Sequence, residues 1–330
     1  MYFIFALIAL LCWSGSDFFS KKGTDEKDSN SHWKVAFAVG LIMGIHFIIT
    51  LIGGAIIDAN GGPDEVPKFV ASLFYTDFRL LDFVYYLPVA GLYIFAMILG
   101  YVGLRYIELS ISSPICNCSG SLALLLCVIL FPIIGADAIE LNAFTIIGVV
   151  AITLGIIGLG VVDNKENPEL KELRRQESNR KYTKSILAFL LPIAYLIIDA
   201  LGTVGDEVFF HYVEISDYSA NSSFELTFAL LAIFSFVWVK FVKKDNLFYK
   251  KNESGNAIYL GGLCETIGQV FYMAVMFADY EVGMPIISAY CAVSVLWSRI
   301  FLKEKLSKWH YSAIAVTFIG IVLLGIFSPV

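Results

Sequence analysis

"YVGLRYIELSISSPICNCSGS" (101–121) and "YMAVMFADYEVGMPIISAYCA" (272–292) read as one segment written twice. Tyr101 falls on Tyr272, the acids Glu108 and Asp279 coincide, and Pro114-Ile115 meets Pro285-Ile286. Each proline sits near the start of an apolar run, where its missing N–H leaves no helical bond unmade. Working outward, Trp13, Asp17 and Gly23 fall opposite Tyr195, Asp199 and Gly205. The runs "TIIGVV" (145–150) and "TFIGIV" (317–322) also agree. An internal repeat is the expectation.

Composition says where such a repeat lives. Of 330 residues, 58% are hydrophobic and only 16% charged, and the mean hydropathy is +0.75. Soluble chains carry about 25% charged residues, so this is a polytopic membrane protein. A crossing helix needs about 20 apolar residues. Ten stretches qualify: 2–20, 34–57, 82–104, 109–131, 142–162, 184–204, 223–242, 256–278, 282–301 and 308–327. Five helices per unit is an odd number, so the second unit must enter from the opposite face. The expected fold class is therefore all-α integral membrane: ten transmembrane helices as two inverted five-helix repeats around a central cavity, an architecture of secondary transporters. The first repeat is 1–162, a charged linker follows at 163–183, and the second repeat is 184–330.

Between the spans, 58–80 mixes turn residues with aromatics and is expected along the interface, while 205–223 reads as an acidic, aromatic loop. Met1 leads into an apolar run with no basic region before it, so the first helix is expected to be retained. The odd-numbered loops, with the linker, hold 21 of the 23 lysines and arginines, leaving Lys68 and Arg79 to the even ones. Basic loops stay cytoplasmic, so the odd loops are expected inside a cell membrane and both termini outside. Six cysteines all lie in apolar runs, where they read as packing residues rather than a disulfide framework.

No HExxH, GxSxG or GxxxxGK[ST] is present, and each would be needed for a common hydrolytic or nucleotide-driven chemistry. The sequence therefore reads as a non-enzyme with no cofactor, no resident metal and no nucleic-acid partner. The expected partners are a small-molecule metabolite and the lipid bilayer. Energy would come from a gradient, with the proton as candidate coupling ion, or transport would be passive.

The Trp-Ser-Gly turn (13–15), "MPIISAY" (284–290), "FLKEKLS" (301–307) and "GIVLLG" (320–325) resemble the ten-helix transporters of the drug/metabolite transporter superfamily, EamA-like branch. The resemblance spans the chain and is clearest over 272–325. It implies a helical basket whose cavity is formed mainly by the first, third, fourth, sixth, eighth and ninth helices. It also implies transport of small metabolites, usually outward. Many members have cytoplasmic termini, a departure from the orientation that the charges give here.

Three acids are read as intramembrane: Asp17, Asp199 and Glu265. Glu265, Gln269 and Tyr272 recur at i, i+4 and i+7, one stripe of a helix. A carboxylate at the bilayer centre costs roughly 2.5–3.5 kcal/mol on insertion scales, so it should face protein or water. The repeat partner of Glu265 is Ile94; a carboxylate that the fold does not duplicate suits a substrate ammonium or a proton. The alternative is a buried structural Glu. Tyr195 and Asp199 lie toward the outer side and Asp17 near the inner, where they could serve opposite gates or be interfacial acids. Asn117 and Ser288 are counterparts on the fourth and ninth spans. They suit a polar lining or close helix packing, and Trp13 could add aromatic surface. His46 has no acidic partner at helical spacing and reads as structural. The leading function is a secondary transporter of a small polar or amphipathic metabolite working by alternating access. The alternatives are a passive facilitator or channel, and an integral membrane enzyme.

Overall fold

The computed structural model describes residues 2–25, 27–135, 142–165, 186–213, 215–247, 253–276, 286–287 and 289–327. Among these residues every regular element is a helix. They are α1 (Tyr2–Gly23), α2 (Ser31–Ala59), α3 (Lys68–Phe74), α4 (Leu80–Gly103), α5 (Leu109–Cys116), α6 (Ser119–Ile134), α7 (Ala143–Lys165), α8 (Ile186–Tyr212), α9 (Asp217–Val237), α10 (Glu253–Met276), α11 (Tyr290–Phe301) and α12 (Lys308–Phe327). Among the described residues nine spans are long and apolar enough to cross a bilayer. One of them joins α5 and α6 across a break at Asn117-Cys118, and another extends α9 through a π turn at Trp238–Val242. The apolar helix α11 has 12 residues; residues 282–285 and 288 of the expected ninth span lie outside the described residues, as does most of the 163–183 linker.

The spans follow the hydropathy, and the largest departure is at 205–223. There α8 runs on to Tyr212 and α9 begins at Asp217. The reason is that the acids are satisfied inside the fold. Asp206 accepts hydrogen bonds from Tyr86 (2.8 Å) and Tyr93 (2.6 Å) of α4. Ser216 caps α9, its hydroxyl accepting from the Ser219 N–H at 3.0 Å, a bond that supplies one of the four orphan donors of a helix start. Asp206 and Glu225 thus join Asp17, Asp199 and Glu265 as acids within helices. The 58–80 segment forms a 3-10 turn (Pro63–Glu65) and α3, which leans on α2 and α10.

Loops sort into two groups. On one face Lys21, a buried lysine, donates to the carbonyls of Leu104 and Ile107, each at 2.5 Å. Arg105 donates to the carbonyls of Asp25 and Ser29, and Lys34 bridges Asp28 (2.7 Å) and Asp245 (3.2 Å). The Asn30 amide donating to Asp245, helped by Lys34, holds that carboxyl below the usual carboxylate range. On the other face Ser222 donates to Thr76 at 2.7 Å, Ser216 donates to Asp77, and Tyr212 donates to the Ile134 carbonyl at 2.7 Å. Thr145 donates to the Phe327 carbonyl there as well, at 2.7 Å. The first group belongs to the odd-numbered loops and the second to the even.

Helix pairing carries a further regularity. α1 packs on α10 as α4 packs on α8; α2 on α10 as α9 on α4; α1 on α11 as α8 on α6. The pairs α2–α9, α7–α12 and α5–α11 join corresponding spans of the two halves. Exchanging the halves returns the same set, the pattern that a two-fold relation would generate. The α2–α9 seam is close because Gly40 has no side chain: a Cβ there would stand 2.1 Å from the Phe228 carbonyl oxygen. Small residues allow this approach in membranes, where dispersion and hydrogen bonds must replace the hydrophobic drive between helices.

Candidate functional site

The polar side chains of the interior gather where α1, α4, α5, α8, α10 and α11 converge. Asp17, on α1, accepts hydrogen bonds from Ser113 of α5 (2.5 Å) and Ser294 of α11 (2.8 Å). Glu265, on α10, has Ser16 of α1 within hydrogen-bonding reach and Asp17 close enough to act on it electrostatically. Both acids are half-buried rather than fully enclosed. An intramembrane carboxylate is expected to face protein or water rather than lipid.

Aromatic rings complete the wall. The Trp13 ring lies 5.2 Å from that of Tyr272 and 5.8 Å from that of Tyr290, within the usual range of favourable aromatic pairs. The indole reaches this position because residue 268 is glycine: a Cβ there would stand 2.4 Å from the Trp13 ring. Tyr290 lies in the field of both Asp17 and Glu265, and Tyr195 in that of Asp199, Tyr290 and Glu265. Among the described residues, the Trp13 indole N–H and the buried Tyr101 hydroxyl have no hydrogen-bond partner. A buried polar group left unmatched costs about 1–3 kcal/mol, so both are well placed to bond a guest.

The remaining sequence-based candidates sort as follows. Asp199 has Ser119 of α6 in hydrogen-bonding reach and feels Asp206, while Thr203 donates to its main-chain carbonyl at 3.2 Å. Tyr195 donates to the Met97 sulfur at 3.7 Å. Asn117 stands at the α5–α6 break, with its side chain hydrogen-bonded to Cys291 of α11. Cys116, just before the break, feels Asp17 and Asp199 together, so the two repeat-related acids flank this break. Ser288 lies outside the described residues. Gln269 donates to Asn221 Oδ1 of α9 at 2.9 Å, tying the Glu265 stripe to a neighbouring helix.

Three participants were not picked out from sequence. Ser294 and Tyr290 occur in a run whose residue types, Ser, Tyr and Cys, also serve plain packing. Glu225 falls at the very start of the expected 223–242 span, behind the polar run "DYSANSS" (217–223), and does not read as an intramembrane acid. It is in fact fully buried in α9 and stands 2.9 Å from His46 Nδ1. The reading of His46 as lacking an acidic partner is therefore corrected: the partner comes from 179 residues away, a distance that helical spacing cannot reveal. Among the described residues no group of three His, Cys, Asp or Glu could hold a metal ion.

One solved structure, titled as a crystal structure of a protein, superposes with a TM-score of 0.54 at 15% identity, over 98% of this chain and 96% of that one. The likeness is one of fold. No curated protein matches the sequence. Residues 185–326, reaching from α8 through nearly all of α12, match the model of the EamA-like transporter family, a match consistent with the drug/metabolite transporter superfamily, and the chain is a multi-pass membrane protein.

Proposed function

We propose that this protein is a secondary carrier for a small polar or amphipathic metabolite, working across the cell membrane by alternating access of two inverted five-helix halves. Glu265 is the partner of a cationic group on the substrate or of a coupling proton. The observation that carries the reading is the interior cluster of Asp17, Glu265 and Asp199 walled by Trp13, Tyr101, Tyr195, Tyr272 and Tyr290. Acids supply charge for a cation, and aromatic faces add about 0.5–2 kcal/mol to its binding. The exchangeable pairing of the two halves supports a fold with two near-equivalent arrangements. No chemical step on the substrate is part of this reading. It is tested by counterflow in proteoliposomes, with a metabolite chosen by its thermal stabilisation of the purified protein.

The charge bias also assigns an orientation: odd loops and linker cytoplasmic, termini external. Cysteines introduced singly in 170–178 should escape an impermeant thiol reagent on intact cells, and one added after Val330 should react. The reverse pattern would overturn the orientation and leave the fold untouched.

A further inference from the structure

Asp17, Glu265 and Asp199 lie where α1, α8 and α10 converge, but Glu225 does not. It sits eight residues into α9, about 12 Å along the axis at 1.5 Å per residue, and is wholly enclosed between α9 and α2. Its Oε1 meets His46 Nδ1 at 2.9 Å and accepts from the Asn221 amide at 3.2 Å. The Leu73 backbone also acts on the ring as an acceptor. Acceptors beside the imidazole favour its doubly protonated form. Glu225 Oε2, by contrast, is buried with no hydrogen-bond partner. A purely structural buried pair is expected to fill its lone pairs, because desolvation offsets the attraction unless both oxygens are satisfied.

We propose that His46 and Glu225 form a proton-binding site separate from the Glu265 cavity, and that its charge state is reported to the cavity through Asn221 and Gln269. With the proton bound, an imidazolium faces a carboxylate; with it released, the neutral ring still donates from Nδ1 to the same carboxylate. One proton enters or leaves and no other bond changes. The amides are the link. A carboxylate only accepts, so ionised Glu225 claims the Asn221 NH2 group, which turns Asn221 Oδ1 toward Gln269 and takes up the Gln269 NH2. That order leaves the Gln269 oxygen, an acceptor, for the cavity stripe one turn from Glu265. Only while the proton is bound can it pass from the imidazolium to Glu225, letting that carboxyl donate to Asn221 Oδ1 instead, reversing both amides and presenting Gln269 NH2; once the pair has released the proton, only the first order is open to it. The cost of an intramembrane His–acid pair at the seam between the two halves makes it a candidate functional site.

The other titratable groups on the elements packed against this pair stand elsewhere. On α10 Glu265 is on the cavity side; on α4 Tyr93 is bonded to Asp206; on α1 Asp17 is bonded to Ser113 and Ser294; and Lys68, which opens α3, is exposed. Among the described residues, Glu225 is the charge that acts on the His46 ring.

The consequence for transport rests on the carrier reading; the proton site itself does not, and the experiment separates them. Imidazole NMR of purified protein with labelled histidine, assigned by the signal lost in His46→Gln, should show His46 titrating within about pH 5–8. Glu225→Gln should move that midpoint by about one unit or more. A His46 signal that does not titrate, or that ignores Glu225→Gln, overturns the site. Asn221→Leu should keep the titration while uncoupling counterflow from an imposed pH gradient. If Asn221→Leu and Glu225→Gln both respond to the gradient as wild type does, the pair is structural and the link is refuted. Absence of counterflow in wild type would instead count against the carrier reading, with the titration result still standing.

Discussion

Glu265→Gln is expected to abolish recognition of a cationic substrate while leaving the fold intact. The amide matches the carboxyl in shape and keeps a hydrogen-bond acceptor for Ser16, so packing is conserved and only the charge goes. Removing one partner of a desolvated charge pair costs about 2–5 kcal/mol, or roughly thirtyfold and more in Kd at 1.4 kcal/mol per tenfold. Titration calorimetry with the substrate selected by thermal stabilisation measures this directly. If Glu265 instead carries the coupling proton, binding and exchange persist in the variant and the response to a pH gradient disappears. Wild-type affinity, exchange and pH response together would make Glu265 a structural residue and remove it from the site.

Glu304→Ala is expected to give the largest loss of stability. Glu304, in the turn between α11 and α12, is buried, and its carboxylate accepts from the Leu109 N–H (3.1 Å), the Ser110 N–H (3.0 Å) and the Ser110 hydroxyl (2.7 Å). It therefore caps α5 from the other half of the chain, placing negative charge at the positive end of the helix. Alanine strands the two backbone N–H groups, at about 1–3 kcal/mol for each buried one left unmatched, while the Ser110 hydroxyl keeps Ser298 at 2.6 Å. The variant should show a lower unfolding temperature and a poorer monodisperse yield in detergent. Glu304→Gln, which keeps one oxygen, should fall between it and wild type. Equal stability of all three proteins would show that α5 holds its start without this carboxylate.

The membrane helices were legible because a bilayer leaves so few choices. Apolar runs of about 20 residues must be helical to satisfy their own backbone, and the nine spans among the described residues track nine of the ten stretches. The ends were less legible where polar residues continue a helix, as in 205–213, because Tyr86 and Tyr93, which satisfy Asp206, lie about 120 residues away in sequence. The site divides in the same way. Glu265, Gln269, Asp17 and Asp199 stand out because a polar residue in an apolar run is conspicuous. Trp13 and Tyr272 are two aromatics among many, and only their 5.2 Å contact distinguishes them. The Glu225–His46 pair was invisible for a third reason: one member sat at the polar edge of its expected span and the other looked alone. Each became meaningful through a contact between helices from different halves.

The central claim is that the cavity alternates between the two faces of the membrane. Proteoliposomes loaded with unlabelled substrate and diluted into a trace of the labelled compound test it. A carrier predicts that the label accumulates transiently above its equilibrium level and that this overshoot saturates with internal substrate. Simple equilibration at a rate proportional to concentration would contradict the account in favour of a pore, and conversion of the label to a new compound would contradict it in favour of an enzyme.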